Sequence, residues 1–164
     1  ELLGRPVLGI TEAALMAAMT CGTRVGVIVF GRRVATLYRE LIDRYGWSSR
    51  IAGLVAIESA DPYAPVDQSA VEQQIVSAAR DLVATADAEA IVLIGAVMAG
   101  RSLRLQEHLQ VPILDGVRCG VPMLEALVRI GATRPAIGSY APLHGRASAG
   151  LTEVLARRLE GEPS

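Results

Sequence analysis

The run VGVIVF, Val25–Phe30, constrains this chain more than any other stretch. It is almost continuously apolar, whereas a strand with one wet face alternates. Such a run needs cover on both faces, as the strands of a parallel sheet have. Similar runs give strand candidates at Pro6–Ile10, Arg24–Phe30, Arg50–Glu58, Ala90–Ala96 and Val111–Leu114. Longer segments with apolar residues at helical spacing lie between them. Val71, Ile75, Ala78, Ala79, Leu82 and Val83 mark the longest. Val34, Leu37, Leu41 and Ile42 mark another, which Gly46 ends. Thr11 suits the N-cap of a helix over Glu12–Met19. Strand and helix in alternation predict an α/β fold with a parallel sheet.

Two places depart from the pattern. Pro122 would break a helix begun at Val117, so Gly116–Val121 is expected to stay loop-like or kinked, with the helix running from Pro122 to about Ile130. Asp61–Pro65 carries two prolines and reads as a loop, part of a lid over a cleft. The tail is turn-rich from Arg134 to Arg146. Leu151, Val154, Leu155 and Leu159 then mark a short terminal helix.

Composition narrows the chemistry. At 164 residues the chain is one domain, or one domain plus parts of another. Hydrophobic residues reach 51% and aromatics only 4%, so the expected core is extensive and aliphatic. A net charge of −1 without a basic stripe argues against a nucleic-acid grip. All 16 basic residues are arginine. Without lysine the chain cannot form a Schiff base to pyridoxal phosphate or to a carbonyl substrate, and cannot build a P-loop. Cys21 and Cys119 lie far apart and outside any CxxC, and His108 and His144 stand alone, so no zinc spacing arises. Cys21 reads as a small buried hydrophobe. No signal peptide opens the chain and no apolar run reaches the roughly 18 residues of a membrane span. The expectation is a cytoplasmic protein with reduced thiols, with no membrane or nucleic-acid partner.

Four segments occur in a telling order: PVLGITEAA near the start, IVLIGAVMAG at Ile91–Gly100, VPILDG at Val111–Gly116, and IGSYAPLHGR near the end. Together they resemble the aspartate/glutamate/hydantoin racemase superfamily, and within it the hydantoin racemase branch. The resemblance implies two similar three-layer α/β halves, each with a four-stranded parallel sheet, facing across a cleft. On that pattern residues 1–21 end the first half, with Pro6–Ile10 as its last strand. Residues 22–115 are the complete second half, and residues 116–164 are a crossover helix and a tail returning to the first half. The first half is then largely missing, about a third of a family-length protein.

The resemblance also implies a chemistry. Family members move the proton beside a carbonyl without a cofactor, using two thiols that flank the carbon while backbone N–H groups stabilise the enolate. One thiol would lie just upstream of Glu1. The other maps to Gly95, where only backbone groups of Gly95 and Ala96 remain. Asp115 and Gly116 match the family's Asp-Gly at the rim, and Thr11 and Glu12 match a polar pair. Val29, Phe30 and Gly31 lie where relatives often carry substrate-binding threonines. Tyr140 falls in the tail match. Cys119, four residues past Asp115, reads either as a structural thiol or as a relocated acid/base group. Arg32 and Arg33 open a helix near the cleft. The implied partners are a small-molecule substrate, a hydantoin or amino-acid type, and further copies of the chain in a homo-oligomer. Two alternatives stay open on the same fold: a single-thiol decarboxylase or isomerase, and a non-catalytic ligand-binding module.

Overall fold

The computed structural model describes residues 6–58, 68–141, 145 and 149–160. Asp61–Pro65 and His144 lie outside the described residues. The chain divides into two compact units, Leu8–Met123 and a smaller one made of residues 1–7 with Leu124–Ser164.

The larger unit is a three-layer α/β fold. Its elements are α1 (Ile10–Cys21), β1 (Val25–Phe30), α2 (Arg32–Arg44), β2 (Ile51–Ile57), α3 (Gln68–Ala86), β3 (Ala90–Ile94), α4 (Arg101–Leu105), β4 (Ile113–Asp115) and the start of α5 (Gly116–Arg129). The four strands are parallel and ordered β2-β1-β3-β4. Val29 pairs with Ala56 on one side and Ile94 on the other.

The two-residue period of the strands sorts their side chains between the faces. Val25, Val27, Val29, Ala90, Val92 and Ile94 pack with residues of α1 and α2 and with Cys119 of α5. Ile28, Ile57, Ile91, Leu93 and Ile113 pack with α3 and α4. Both faces of β1 and β3 are therefore dry, as the unbroken apolar runs demand. Ile28 and Ile91 are fully buried, and truncating either to alanine costs about 2–5 kcal/mol. The expected face of α3 is present, with Val71, Ile75, Ala78, Ala79 and Leu82 buried.

Several expectations are corrected. Pro6–Ile10 is not a strand. Residues 6–9 join no ladder, Val7 is exposed, and the Gly9 carbonyl accepts from the Ala13 N–H at 2.9 Å, so Ile10 already begins α1. Thr11 is therefore not the cap: Gly9 occupies that position, and Thr11 is a buried residue of the first turn. On α2 the buried residues are Ala35 and Ile42, with Tyr38 packed beside them, while Leu37 faces solvent. Cys21 is exposed, because the last turn of α1 carries it off the core face.

The Gly116–Val121 stretch is helical, with Pro122 inside α5. Two contacts offset part of a proline cost of about 3 kcal/mol. Asp115 Oδ1 accepts from the Arg118 N–H at 3.0 Å and fixes the first turn. Gly116 and Gly120, one turn apart, lie against Ile10 and Ala13 of α1. Arg118, whose carbonyl loses a donor to the proline, is an exposed residue that water can reach.

The smaller unit holds the end of α5 and α6 (Glu153–Glu160), the terminal helix expected from its apolar spacing. The Arg134 guanidinium lies 5.9 Å from the Tyr140 ring centre, and Tyr140 is exposed. Among the described residues no helix is long and apolar enough to cross a membrane.

Candidate active site at the carboxyl edge of the sheet

The strand order contains one reversal. The chain leaves β1 for β2 on one side, and leaves β3 for β4 on the other. In open parallel sheets, the connections at such a point diverge and leave a crevice beyond the carboxyl ends of the two central strands. Gly31 follows β1 and Gly95 follows β3, so both turns stand at that crevice. Their φ angles are +88° and +111°, where a side chain is strained and glycine is not.

Beyond Gly95 the chain makes a single 3-10 turn, Ala96–Met98, closed by the Met98 N–H on the Gly95 carbonyl at 3.0 Å. The N–H groups that open such a turn have no acceptor inside it. Ala96 is exposed and Gly95 half-buried. A Cβ built on Gly95 meets only Val97 Cγ1 at 3.8 Å and the Tyr38 hydroxyl at 4.0 Å.

Asp115 sits beside Leu93 in the β3–β4 ladder and is almost wholly buried. Its Oδ2 accepts from Ser102 Oγ at 2.5 Å and from the Gly100 N–H at 3.3 Å, while Oδ1 accepts from the Arg118 N–H. The carboxylate thus ties the loop after β3 to the start of α5. A Cβ on Gly116 would fall 2.6 Å from the Ile10 carbonyl oxygen, so the starts of α1 and α5 touch. Thr11 and Glu12 follow directly. The structure brings Gly31, Gly95, Ala96, Asp115, Gly116 and Thr11 to one edge of the larger unit. Phe30 is half-buried at the end of β1 with Ile57 beside it, and Val29 lies in the core.

Cys119 lies one helical turn past Asp115, in the core cluster with Ala13 and Leu15. Burial, and then the Asp115 carboxylate, push its thiol above the ordinary value; Arg118 pulls the other way. The thiol is protonated at neutral pH. Arg101 is buried beside the same loop, with Nη1 3.7 Å from Glu72 Oε1. Arg32 opens α2 as an exposed residue 3.5 Å from Glu58. Two surface grooves, about 470 and 550 Å³, lie elsewhere, one at Asp43, Ser48 and Leu54 and one at Ser69, Glu72 and Arg80. Neither is lined by Gly31, Gly95 or Asp115.

Sequence reasoning missed Ser102 and Tyr38. Ser102 carries no local signal, because its partner is thirteen residues away. Tyr38 falls four residues after Val34 and four before Ile42, so helical spacing places it on the inner face of α2.

The sequence model of the Asp/Glu/hydantoin racemase family matches residues 1–124. The chain belongs to the Asp/Glu/hydantoin racemase family. It is 33% identical over 150 residues to a hydantoin racemase of Rhizobium meliloti, covering 92% of this chain and 62% of that protein. A hydantoin racemase of Pseudomonas sp. (strain NS671) is 29% identical over 140 residues, covering 85% of this chain and 56% of that protein. The solved allantoin racemase from Klebsiella pneumoniae superposes with a TM-score of 0.81 at 31% identity, covering 92% of this chain and 61% of that one. The allantoin racemase from Pseudomonas fluorescens gives 0.80 at 31% identity, covering 92% and 64%. This racemase-family chain thus spans under two thirds of the length of the relatives it matches.

Proposed function

We propose that this chain forms one side of a cofactor-independent active site that moves the proton on the α-carbon of a hydantoin- or amino-acid-type substrate. The observation that carries this reading is the pair of glycine turns, Gly31 and Gly95, side by side at the switch point between β1 and β3. The substrate's carbonyl lies at the turn after β3, where the N–H groups of Ala96 and Val97 face developing negative charge. Fixed donors of this kind stabilise an enolate without reorganising, and one such donor is worth about 3–4 kcal/mol of barrier. Asp115 holds that loop in place through Gly100 and Ser102 rather than binding substrate itself. Gly95 stands where the family carries its second cysteine, so this half offers backbone donors at that position and no thiol.

One observation favours a second reading, a module that binds the same ligands without turnover. The thiol nearest the edge in sequence, Cys119, is packed in the core and held protonated.

The two readings part in deuterated water. The protein is mixed with one enantiomer of 5-methylhydantoin, and the α-proton signal and optical rotation are followed against a protein-free blank. Loss of the signal with loss of rotation is expected of a racemase. Loss of the signal with rotation retained indicates one-sided proton transfer. No loss beyond the blank, from a protein that carries both sides of the site, contradicts proton transfer and leaves binding alone.

A further inference from the structure

We propose that the Tyr38 hydroxyl is the proton-donating group at the Gly95 turn, occupying the functional position that a thiol would fill there. The inference rests on the reading of the carboxyl edge as the substrate site. Three observations converge on it. A Cβ on Gly95 would lie 4.0 Å from Tyr38 Oη, so the hydroxyl stands beside the place where a side chain at this position would begin. Tyr38 belongs to α2, which begins at Arg32, directly after Gly31. Long side chains on a helix lean towards its N-terminus, here the end at the switch point, so the phenol is carried towards the crevice and not away from it. The ring is also held: Tyr38 is half-buried, packed on the core that contains Ala35, Ile42 and Ile94. A fixed ring with its polar tip at a turn is what a proton donor needs.

The chemistry balances. A base on the opposite face of the substrate, a thiolate or a carboxylate, removes the α-proton, leaving an enolate, and releases that proton to water once the product has left. The phenol O–H bond breaks as a C–H bond forms at the α-carbon. The electron pair of the O–H bond stays on oxygen as phenolate, which takes a proton back from water. A phenol O–H, like a thiol S–H, is a group that serves as a general acid. The same geometry explains how the turn after β3 can carry glycine at this position and still have a proton donor within reach.

The test uses the whole chain labelled with 13C at the tyrosine Cζ, with the Tyr38 resonance identified by its loss in Tyr38→Phe. The probe is 5-methylhydantoin, and its binding is measured independently by calorimetry. Binding together with a shift of the Tyr38 resonance is expected. In a protein that carries both sides of the site, Tyr38→Phe should also slow the loss of optical rotation by about a hundredfold or more, the usual size of a general acid's contribution, while the circular dichroism spectrum and the affinity for the probe change little. Binding with a silent Tyr38 resonance, or rotation lost as fast in Tyr38→Phe as in the native protein, overturns the assignment of Tyr38 and leaves the site standing. Absence of binding overturns both.

Discussion

Asp115 Oδ2 receives the Ser102 hydroxyl at 2.5 Å inside the larger unit, with both residues buried. This contact, with the Gly100 N–H on the same oxygen and the Arg118 N–H on Oδ1, closes the loop after β3 onto the start of α5. Asp115→Ala removes a helix cap and leaves buried donors without acceptors. We expect a loss of about 2–4 kcal/mol in urea unfolding. Ser102→Ala should cost less, about 1 kcal/mol, because the carboxylate keeps its two backbone donors.

Gly116 and Gly120 occupy the same face of α5 and predict opposite outcomes. A methyl on Gly116 would lie 2.6 Å from the Ile10 carbonyl oxygen and 2.8 Å from Ile10 Cβ, so α1 and α5 must separate. Gly116→Ala should destabilise by about 1–3 kcal/mol, the usual cost of overpacking. On Gly120 the nearest atoms stand at 3.8 and 3.9 Å. Gly120→Ala should be neutral, or more stable by up to about 1 kcal/mol through helix propensity. Thermal unfolding of the two variants side by side checks this.

Cys119 and Cys21 should differ in reactivity. Cys21 is exposed, while Cys119 is buried with its thiol pushed above the ordinary value. The thiolate attacks iodoacetamide and displaces iodide, so the folded chain at pH 8 should label at Cys21 and spare Cys119 until denaturant is added. The folded-state value lies above the unfolded one, so this group's contribution to stability is complete below the unfolded value and is lost as the pH rises through the folded one. Cys119→Ser should flatten the alkaline fall in stability.

Glu89 predicts the opposite slope. Its carboxylate accepts from Thr23 Oγ1 at 2.7 Å and from the N–H groups of Thr23 and Arg24, and these bonds hold it below the usual carboxylate range. A lowered folded value gives a contribution that is present above the unfolded value and lost as the pH falls through the folded one. Urea midpoints measured from pH 7 downwards should fall more steeply for the native chain than for Glu89→Gln.

Much of the fold was legible because burial on both faces leaves an unbroken apolar run, and Val25–Phe30 and Ala90–Ile94 carry one each. The face of α3 was legible for the same reason, at helical period. What was not legible depends on contacts distant in sequence. Pro122 reads as a helix breaker in isolation, whereas the Asp115 cap and the seat of Gly116 and Gly120 against α1 hold the helix that runs through it. Pro6–Ile10 has the composition of a strand, yet a strand exists only where a ladder partner accepts it. At the candidate site, Gly95 and Asp115 were visible as turn residues. Tyr38 was hidden because a tyrosine on an inner helix face reads as core until its hydroxyl is seen beside Gly95.

The carboxyl edge between β1 and β3 is the proposed place of ligand binding. Backbone amide shifts of the 15N-labelled chain, followed during titration with 5-methylhydantoin, test this most directly. The predicted result is saturable movement of Gly31, Gly95, Ala96 and Gly100 with one common affinity. Movement confined to the grooves at Ser48 and Leu54 or at Ser69 and Arg80, or no movement at all, would contradict it.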